Sequence, residues 1–157
     1  MLRKKKKYSK PRKAYDIIRI KEENELVKKY GLKNKREIWK AEASISRIRR
    51  RGKSLITASI EKQQEFFNKL ERIGFKTTKI SEILDLKKED WLKRRLQSIL
   101  IQKNLATPKG ARQLITHKNV MIDGKIVDVP GYIVKVSEEN KIKIIKLSVK
   151  NIGDKNE

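Results

Sequence analysis

The chain has one histidine, His117, and it lies in a segment whose residue types could do chemistry. Arg112 and Lys118 flank it, and an Asp-Gly pair, Asp123-Gly124, follows shortly after. An imidazole can act as a general base, but no carboxylate precedes His117 closely enough in the sequence to orient it. Asp123 is explained by its place in a two-residue hairpin turn. We therefore expect His117 to be structural or to contact a bound ligand, and we expect no catalytic residues.

The charge of the chain indicates what this segment contacts. Its 157 residues include 42 Lys+Arg and 19 Asp+Glu, which gives a formal net charge of +23. A cation of this size needs a polyanion, so nucleic acid is the first candidate and an anionic membrane surface the second. The basic helices lack the large aromatic face of membrane anchors, and no apolar run approaches the ~20 residues that span a bilayer. We therefore expect no membrane partner.

Metal and cofactor chemistry is not indicated. The chain has no cysteine, which excludes disulfides and cysteine metal sites. One histidine without cysteine does not make a typical zinc site, and no glycine-rich phosphate loop is present. We therefore expect a binding protein with no metal and no cofactor.

Two basic clusters lie in the first part of the chain. Residues 1–13 carry eight Lys/Arg and no acid, which is typical either of a disordered tail or of an arm that becomes ordered on phosphate. The second cluster ends a predicted helix, where cations favour the helix dipole. Adjacent arginines exceed what a helix end needs, because like charges repel. The candidate RNA-binding residues here are Lys10, Arg12, Lys13, Arg47, Arg49, Arg50, Arg51 and Lys53.

A further basic surface is predicted in the second part. The segment "KEDWLKRRLQSILIQKNLA" predicts one strong helix, with cations near its start, where the dipole disfavours them. Thr107-Pro108 predicts an N-cap and first helical residue of a helix that ends near Thr116. We expect this helix pair to present Lys93, Arg94, Arg95, Lys109 and Arg112 on one outer surface. His117 and Lys118 are expected beside it, at the turn into the hairpin.

The apolar pattern predicts the elements that position these residues. Helices are expected over Ile20–Tyr30, with Gly31 as a left-handed cap, and over Glu61–Ile73. Between them, apolar residues recur at helical spacing, and Asn34 with Glu37 resembles a capping box. That apolar stripe consists of Ile38, Ala41, Ile45 and Ile48.

Strand patterns follow the last predicted helix. Val120 and Ile122 alternate into the Asp123-Gly124 turn, which is typical of a type I′ hairpin. Two more strands are predicted over Tyr132–Val136 and Lys141–Leu147. The fold class is therefore α+β: a basic arm and helical domain (1–90), a small domain of two helices and a mostly antiparallel sheet (91–150), and a polar tail (151–157).

These segments resemble a known family. "RRLQSILIQKNLATPKGARQLITHKNVMIDGKIVDVP" is similar to the small RNA-binding domain named after the universal small-subunit ribosomal protein four. Upstream, "YSKPRKAYD", "YGLKNKREIWKAEASISRIRR", "RIGF" and "LDLKKEDWLKRRLQ" resemble the same ribosomal protein in its archaeal and eukaryotic branch. The resemblance covers about residues 8–147.

The resemblance implies a structural protein of the small ribosomal subunit, located on the cytoplasmic ribosome. Family members bind the five-prime domain of small-subunit ribosomal RNA early in assembly. They contact neighbouring small-subunit proteins, and they support decoding accuracy near the messenger RNA entry side. Carried over by position, the RNA-facing residues in the second part are Lys93, Arg94, Arg95, Lys109, Arg112, Gln113, His117 and Lys118, together with the two basic clusters of the first part.

Two alternatives share the same domain. A free-standing RNA-binding or stress protein would not need the helical first part or its basic arm. An RNA-modifying enzyme would need a catalytic domain of well over ~100 residues, for which the chain leaves no room. We therefore expect a ribosomal RNA-binding protein.

Overall fold

The computed structural model describes residues 8–145. The first seven residues of the basic arm, the end of the last predicted strand and the polar tail lie outside that range. The described residues form, in chain order, α1 (Ile17–Tyr30), α2 (Arg36–Ser54), α3 (Ile60–Ile73), α4 (Ile80–Asp85), α5 (Lys88–Lys93), α6 (Leu96–Gln102), α7 (Pro108–Thr116), β1 (Val120–Ile122), β2 (Lys125–Ile126), α8 (Val136–Glu139) and β3 (Ile142–Ile144). The predicted α+β class is confirmed.

The helical first part is built on α2. Its predicted apolar stripe faces inward, with Ile38, Ala41 and Ile45 buried and Ile48 half-buried. Ile38 and Ala41 pack with residues of α1 and with Leu92 of α5, while Ile45 packs with residues of α3 and α4. Burial of this stripe removes apolar surface from water, and it fixes which side of α2 is left for other contacts.

The ends of the first two helices differ in part from the prediction. Gly31 ends α1 in the left-handed conformation, with φ 60°, as expected. The helix begins three residues before Ile20, because Asp16 caps it by accepting from the Arg19 N–H at 3.4 Å. The predicted capping box at the start of α2 is wrong. No side chain caps that end, and the Glu37 carboxylate accepts instead from the Lys33 N–H at 3.3 Å and from arginines of the second part.

The single helix predicted from residue 88 onward is interrupted at Arg94-Arg95. Arg95 is extended, with φ −74° and ψ 146°, and it forms an antiparallel bridge with Ile133. The Leu96 N–H donates to the Tyr132 carbonyl at 2.8 Å, and the Val134 N–H donates to the Arg94 carbonyl at 3.1 Å. The apolar period continues through the break, so the pattern alone could not reveal it.

The second part encloses its own core. Leu96, Ile99 and Leu100 of α6 pack with Ala111 and Ile115 of α7 and with the sheet. The strand order is β2-β1-β3, and both pairs are antiparallel. The hairpin prediction is confirmed, since Asp123 and Gly124 have φ of 51° and 78° and Ile122 pairs with Lys125.

One predicted strand is absent from the described sheet. Ile133 forms only the single bridge to Arg95, and Val136–Glu139 is a helical turn, α8. Glu138 accounts for the difference, because its carboxylate accepts from the Lys135 N–H at 3.3 Å and from the Tyr132 hydroxyl at 2.9 Å. The chain is thereby turned before it enters β3, which pairs with β1 in its place.

The two parts meet closely where α1 ends and α7 begins. A Cβ on Gly31 would lie 2.5 Å from the Pro108 carbonyl oxygen and 2.8 Å from Gln97 Nε2. Gln97 is buried, and its Nε2 donates to the carbonyls of Gly31 and Pro108, both at 2.8 Å. Only glycine permits this approach at a positive φ.

Within residues 8–145, none of the helices combines the length and the apolar character needed to cross a membrane.

Candidate RNA-binding surface

The exposed side of α7 carries the predicted contact residues of the second part. Thr107 caps the helix by accepting from the Gly110 N–H at 3.2 Å, and burial of Ala111 and Ile115 sets its orientation. Lys109, Gln113, His117 and Lys118 are all exposed, and we call these four residues the α7 face. A surface depression of about 580 Å³ is lined by Gly110, Gln113, Leu114, His117 and Asn119.

Lys118 has an unusual backbone conformation, with φ 61°. The Lys118 N–H donates to the Ile115 carbonyl and the Asn119 N–H to the Leu114 carbonyl, both at 3.0 Å. These two bonds make a Schellman motif, whose left-handed position is usually glycine. A lysine there carries a steric cost, and this strain at a candidate site was not visible in the sequence.

The arginine cluster at the end of α2 divides into exposed and inward members. Arg47, Arg50, Arg51 and Lys53 are exposed, and the guanidinium of Arg51 lies 5.8 Å from the centroid of the Phe66 ring. Arg49 is half-buried and donates to the Leu86 carbonyl. The cluster therefore has one member that joins α2 to the segment after α4.

The described part of the arm lies against the helices. Arg19 of α1 donates to the Lys13 carbonyl at 2.7 Å and to the Ala14 carbonyl at 3.1 Å, and the rings of Tyr8 and Trp39 are 6.3 Å apart. These contacts hold the backbone while the side chains of Lys10, Arg12 and Lys13 stay exposed.

Arg95 and Arg112 do not lie on the predicted outer surface. Arg95 is buried and forms an ion pair with Glu37 of α2. Arg112 is half-buried and donates to the other oxygen of the same carboxylate at 3.0 Å and to the Gln97 side-chain oxygen at 3.4 Å. The prediction that both arginines are exposed is wrong, because the sequence did not reveal the acid that faces them.

Arg94 is also turned inward. Its guanidinium donates to Glu139 and to the Val134 carbonyl, both at 3.1 Å, and it covers Gly74, where a Cβ would lie 2.7 Å from the guanidinium carbon. Lys93 is exposed, but it forms an ion pair with Asp90 at 3.1 Å. The basic run at residues 93–95 therefore serves mainly contacts within the protein, and its expected exposure holds only for Lys93.

Glu37 is the residue at this surface whose role sequence reasoning missed. Burial by itself would raise the pKa of its carboxyl group, but the hydrogen bonds from Arg112 and Arg95 outweigh burial and hold that pKa below its ordinary value. A carboxylate with two arginines is therefore ionised at neutral pH. The only signal in the sequence was its position after Asn34, which indicated a helix cap instead.

The remaining candidate cations have no acidic partner in the part of the chain that the structure describes. Within residues 8–145, none of the following forms a salt bridge with a carboxylate: Lys10, Arg12, Lys13, Arg47, Arg50, Arg51, Lys53, Lys109 and Lys118. Exposed cations without partners attract polyanions. The structure thus separates cations that hold the fold together from cations that are free to bind phosphate.

The chain is similar to known proteins along most of its length. Residues 94–140 match the model of the S4 domain. The chain is 44% identical over 144 residues to small ribosomal subunit protein uS4 of Methanothermobacter thermautotrophicus, covering 87% of this chain and 84% of the relative. It is 38% identical over 157 residues to the protein of the same name from Nanoarchaeum equitans, covering 94% and 87%. It is also 41% identical to that of Saccharolobus islandicus, covering 87% and 80%. The chain belongs to the uS4 family of small ribosomal subunit proteins, in its archaeal branch.

Proposed function

We propose that this protein binds small-subunit ribosomal RNA through the exposed cations that have no acidic partner. The observation that carries the proposal is the separation described above. Glu37 and Glu139 neutralise the inward-facing arginines, and Asp90 pairs with the exposed Lys93. Within residues 8–145 the other exposed candidate cations form no salt bridge. The proposed contact residues are Lys10, Arg12, Lys13, Arg47, Arg50, Arg51, Lys53, Lys109, Gln113, His117 and Lys118.

As a member of the uS4 family, the chain is a structural protein of the ribosome and not an enzyme. The shape of the surface fits that role. An RNA helix hides its base edges in a deep, narrow major groove, so recognition depends on phosphates, 2′-hydroxyls and shape. The cations lie on three different elements: the arm, the end of α2 and the α7 face. They can therefore contact several phosphates along a folded RNA, which one dense cluster of cations would fit less well.

The finer assignment is also part of the proposal. We place the binding site in the five-prime domain of the small-subunit RNA, with binding early in assembly. Neighbouring small-subunit proteins would be its protein partners, and messenger RNA would pass nearby. The support is the family membership together with the retained basic arm and helical first part, which a free-standing RNA-binding protein would not need.

A salt titration with a fragment of the five-prime domain tests the proposal. Each neutralised phosphate should add roughly 0.7–0.9 to the slope of log affinity against log salt. With several cations engaged, we expect a total slope on the order of −5 or steeper. Lys109→Ala combined with Lys118→Ala should make that slope shallower. A nearly flat salt response of the unaltered protein would contradict the proposal.

A further inference from the structure

Two adjoining grooves run along one side of α2. The first, of about 370 Å³, lies where α2 faces Arg112 and the segment 129–131. The second, of about 340 Å³, lies between α2 and α3. Ser44 and Trp91 line both grooves, so the two grooves adjoin at these residues, and we call the pair of grooves the α2 channel. Each half falls within the range of about 300–1,000 Å³ that is typical of small-ligand sites.

The cations of the α2 channel follow the helix. Lys40, Arg47 and Arg51, together with Ser44, recur at spacings of three and four, so they lie in one row on α2. At 1.5 Å per residue this row spans about 16 Å. Lys69 of α3 adds a cation on the opposite wall. Among the described residues, Glu37 is the only acid that lines the channel, and Arg95 and Arg112 already neutralise it.

The second groove of the α2 channel has a largely apolar and aromatic interior. Trp91 is half-buried and packs against Phe75 at 6.2 Å between ring centroids, and its indole is the one side chain with an aromatic ring that both grooves share. Phe66 and Ile48 line the second groove beneath Arg51. A duplex presents phosphates but keeps its bases stacked inside, so an apolar interior with a basic rim suits bases that have left the stack.

We infer that the α2 channel binds an unpaired, single-stranded segment of RNA. Lys40, Arg47 and Arg51 contact successive phosphates, and a base packs against Trp91. This inference rests on the proposed function, because it specifies which kind of RNA part of the surface takes. An acidic peptide would neutralise the cations, but its carboxylates would not stack on the aromatic side chains of the channel. Those side chains therefore favour RNA over an acidic peptide.

The test compares short labelled RNAs by fluorescence anisotropy on the full chain. We expect Lys40→Ala combined with Arg47→Ala to weaken binding of a short oligouridylate by about tenfold, and to reduce the salt slope by about 1.4, the contribution of two phosphates of a single strand. The matched control is Lys28→Ala with Arg72→Ala, which removes the same charges from exposed positions that line neither groove. Its effect should be about twofold at most, because exposed charges are screened.

A second variant probes the base contact. Trp91→Leu should weaken oligouridylate binding by about tenfold, as for one lost base–aromatic stack, while changing the salt slope little. The inference is overturned if the groove pair and the control pair bind oligouridylate equally. It is also overturned if an acidic peptide of the same net charge binds as tightly as oligouridylate.

The ribosomal RNA fragment separates this inference from the proposed function. If the unaltered chain binds the five-prime fragment with a steep salt slope while the groove pair has no effect on oligouridylate, the channel inference alone fails. If the unaltered chain does not bind the fragment, both fail.

Discussion

Glu37 of α2 and Arg95, at the junction of α5 and α6, form a largely buried ion pair that joins two segments 58 residues apart. Arg112 of α7 donates to the same carboxylate, so one acid links α2 to the start of α6 and to α7. Removing one partner of such a pair leaves buried charge without compensation. The contact therefore places the two parts relative to each other.

The first prediction concerns pH. The pKa of Glu37 is lowered in the folded state. Ionisation of this carboxyl group therefore stabilises the fold at any pH above the pKa of the unfolded chain. This contribution to the free energy of unfolding is lost as the pH falls through the pKa of the folded state. Glu37→Gln should lower the free energy of unfolding by about 2 kcal/mol at neutral pH. The difference from the unaltered protein should shrink on acidification, as measured by urea denaturation across the acid range. Glu65→Gln, at an exposed position, is the control and should leave stability and its pH dependence almost unchanged.

The second prediction separates the two kinds of cation on α7. Arg112 is held by Glu37 and Gln97, so Arg112→Ala should cost about 1–3 kcal/mol of stability. Lys109 is exposed on the same helix, and Lys109→Ala should change stability by about 0.5 kcal/mol or less while weakening RNA binding. Thermal melts and RNA titrations of both variants check this. Equal melting temperatures for the two variants would show that the Arg112 contacts contribute nothing.

The third prediction uses the strained residue at the end of α7. Lys118→Gly removes the Cβ from a left-handed position, φ 61°, and should therefore stabilise the fold by about 1 kcal/mol. It also removes a candidate phosphate contact, so RNA affinity should fall even as stability rises. Lys118→Ala, which keeps the Cβ, should weaken RNA binding to a similar extent without the gain in stability. A loss of stability in the glycine variant would contradict this account.

The fourth prediction concerns the hairpin. Among residues 8–145, apart from the two that adjoin Gly124, no atom lies within 4 Å of where a Cβ on Gly124 would be, so a substitution there meets backbone strain and no steric clash. Gly124→Val should cost about 1–3 kcal/mol, because a β-branched residue is disfavoured at φ 78°. Gly124→Asn should cost less, since asparagine tolerates this region.

The same hairpin variants report on RNA binding. The turn sets the register of β1 with β2. Because β1 begins shortly after His117 and Lys118, a change in that register would move these two residues. We therefore expect Gly124→Val to weaken RNA binding, although residue 124 need not touch RNA. Native stability and native affinity in the valine variant would show that the turn does not position the α7 face.

Much of the fold was predictable because local patterns decide it. Thr107-Pro108, Gly31 and the Asp123-Gly124 turn each depend on the conformational preferences of one or two residues, and all three were predicted correctly. The stripe of α2 and the inward residues of α7 follow from the helical period. The net charge indicated a polyanionic partner, and the resemblance of the quoted segments indicated the family, both without any coordinates.

Tertiary contacts decided what the sequence could not. The helix breaks at Arg94-Arg95 because backbone groups there form hydrogen bonds with Tyr132 and Val134. The spacing of apolar residues cannot predict hydrogen bonds to such distant partners. The roles of the basic residues depended in the same way on distant acids. Arg95 and Lys118 are both cations in basic stretches of the sequence. Only the folded chain brings Glu37 to Arg95 and leaves Lys118 exposed, because the acid that neutralises a cation can lie far from it in the sequence.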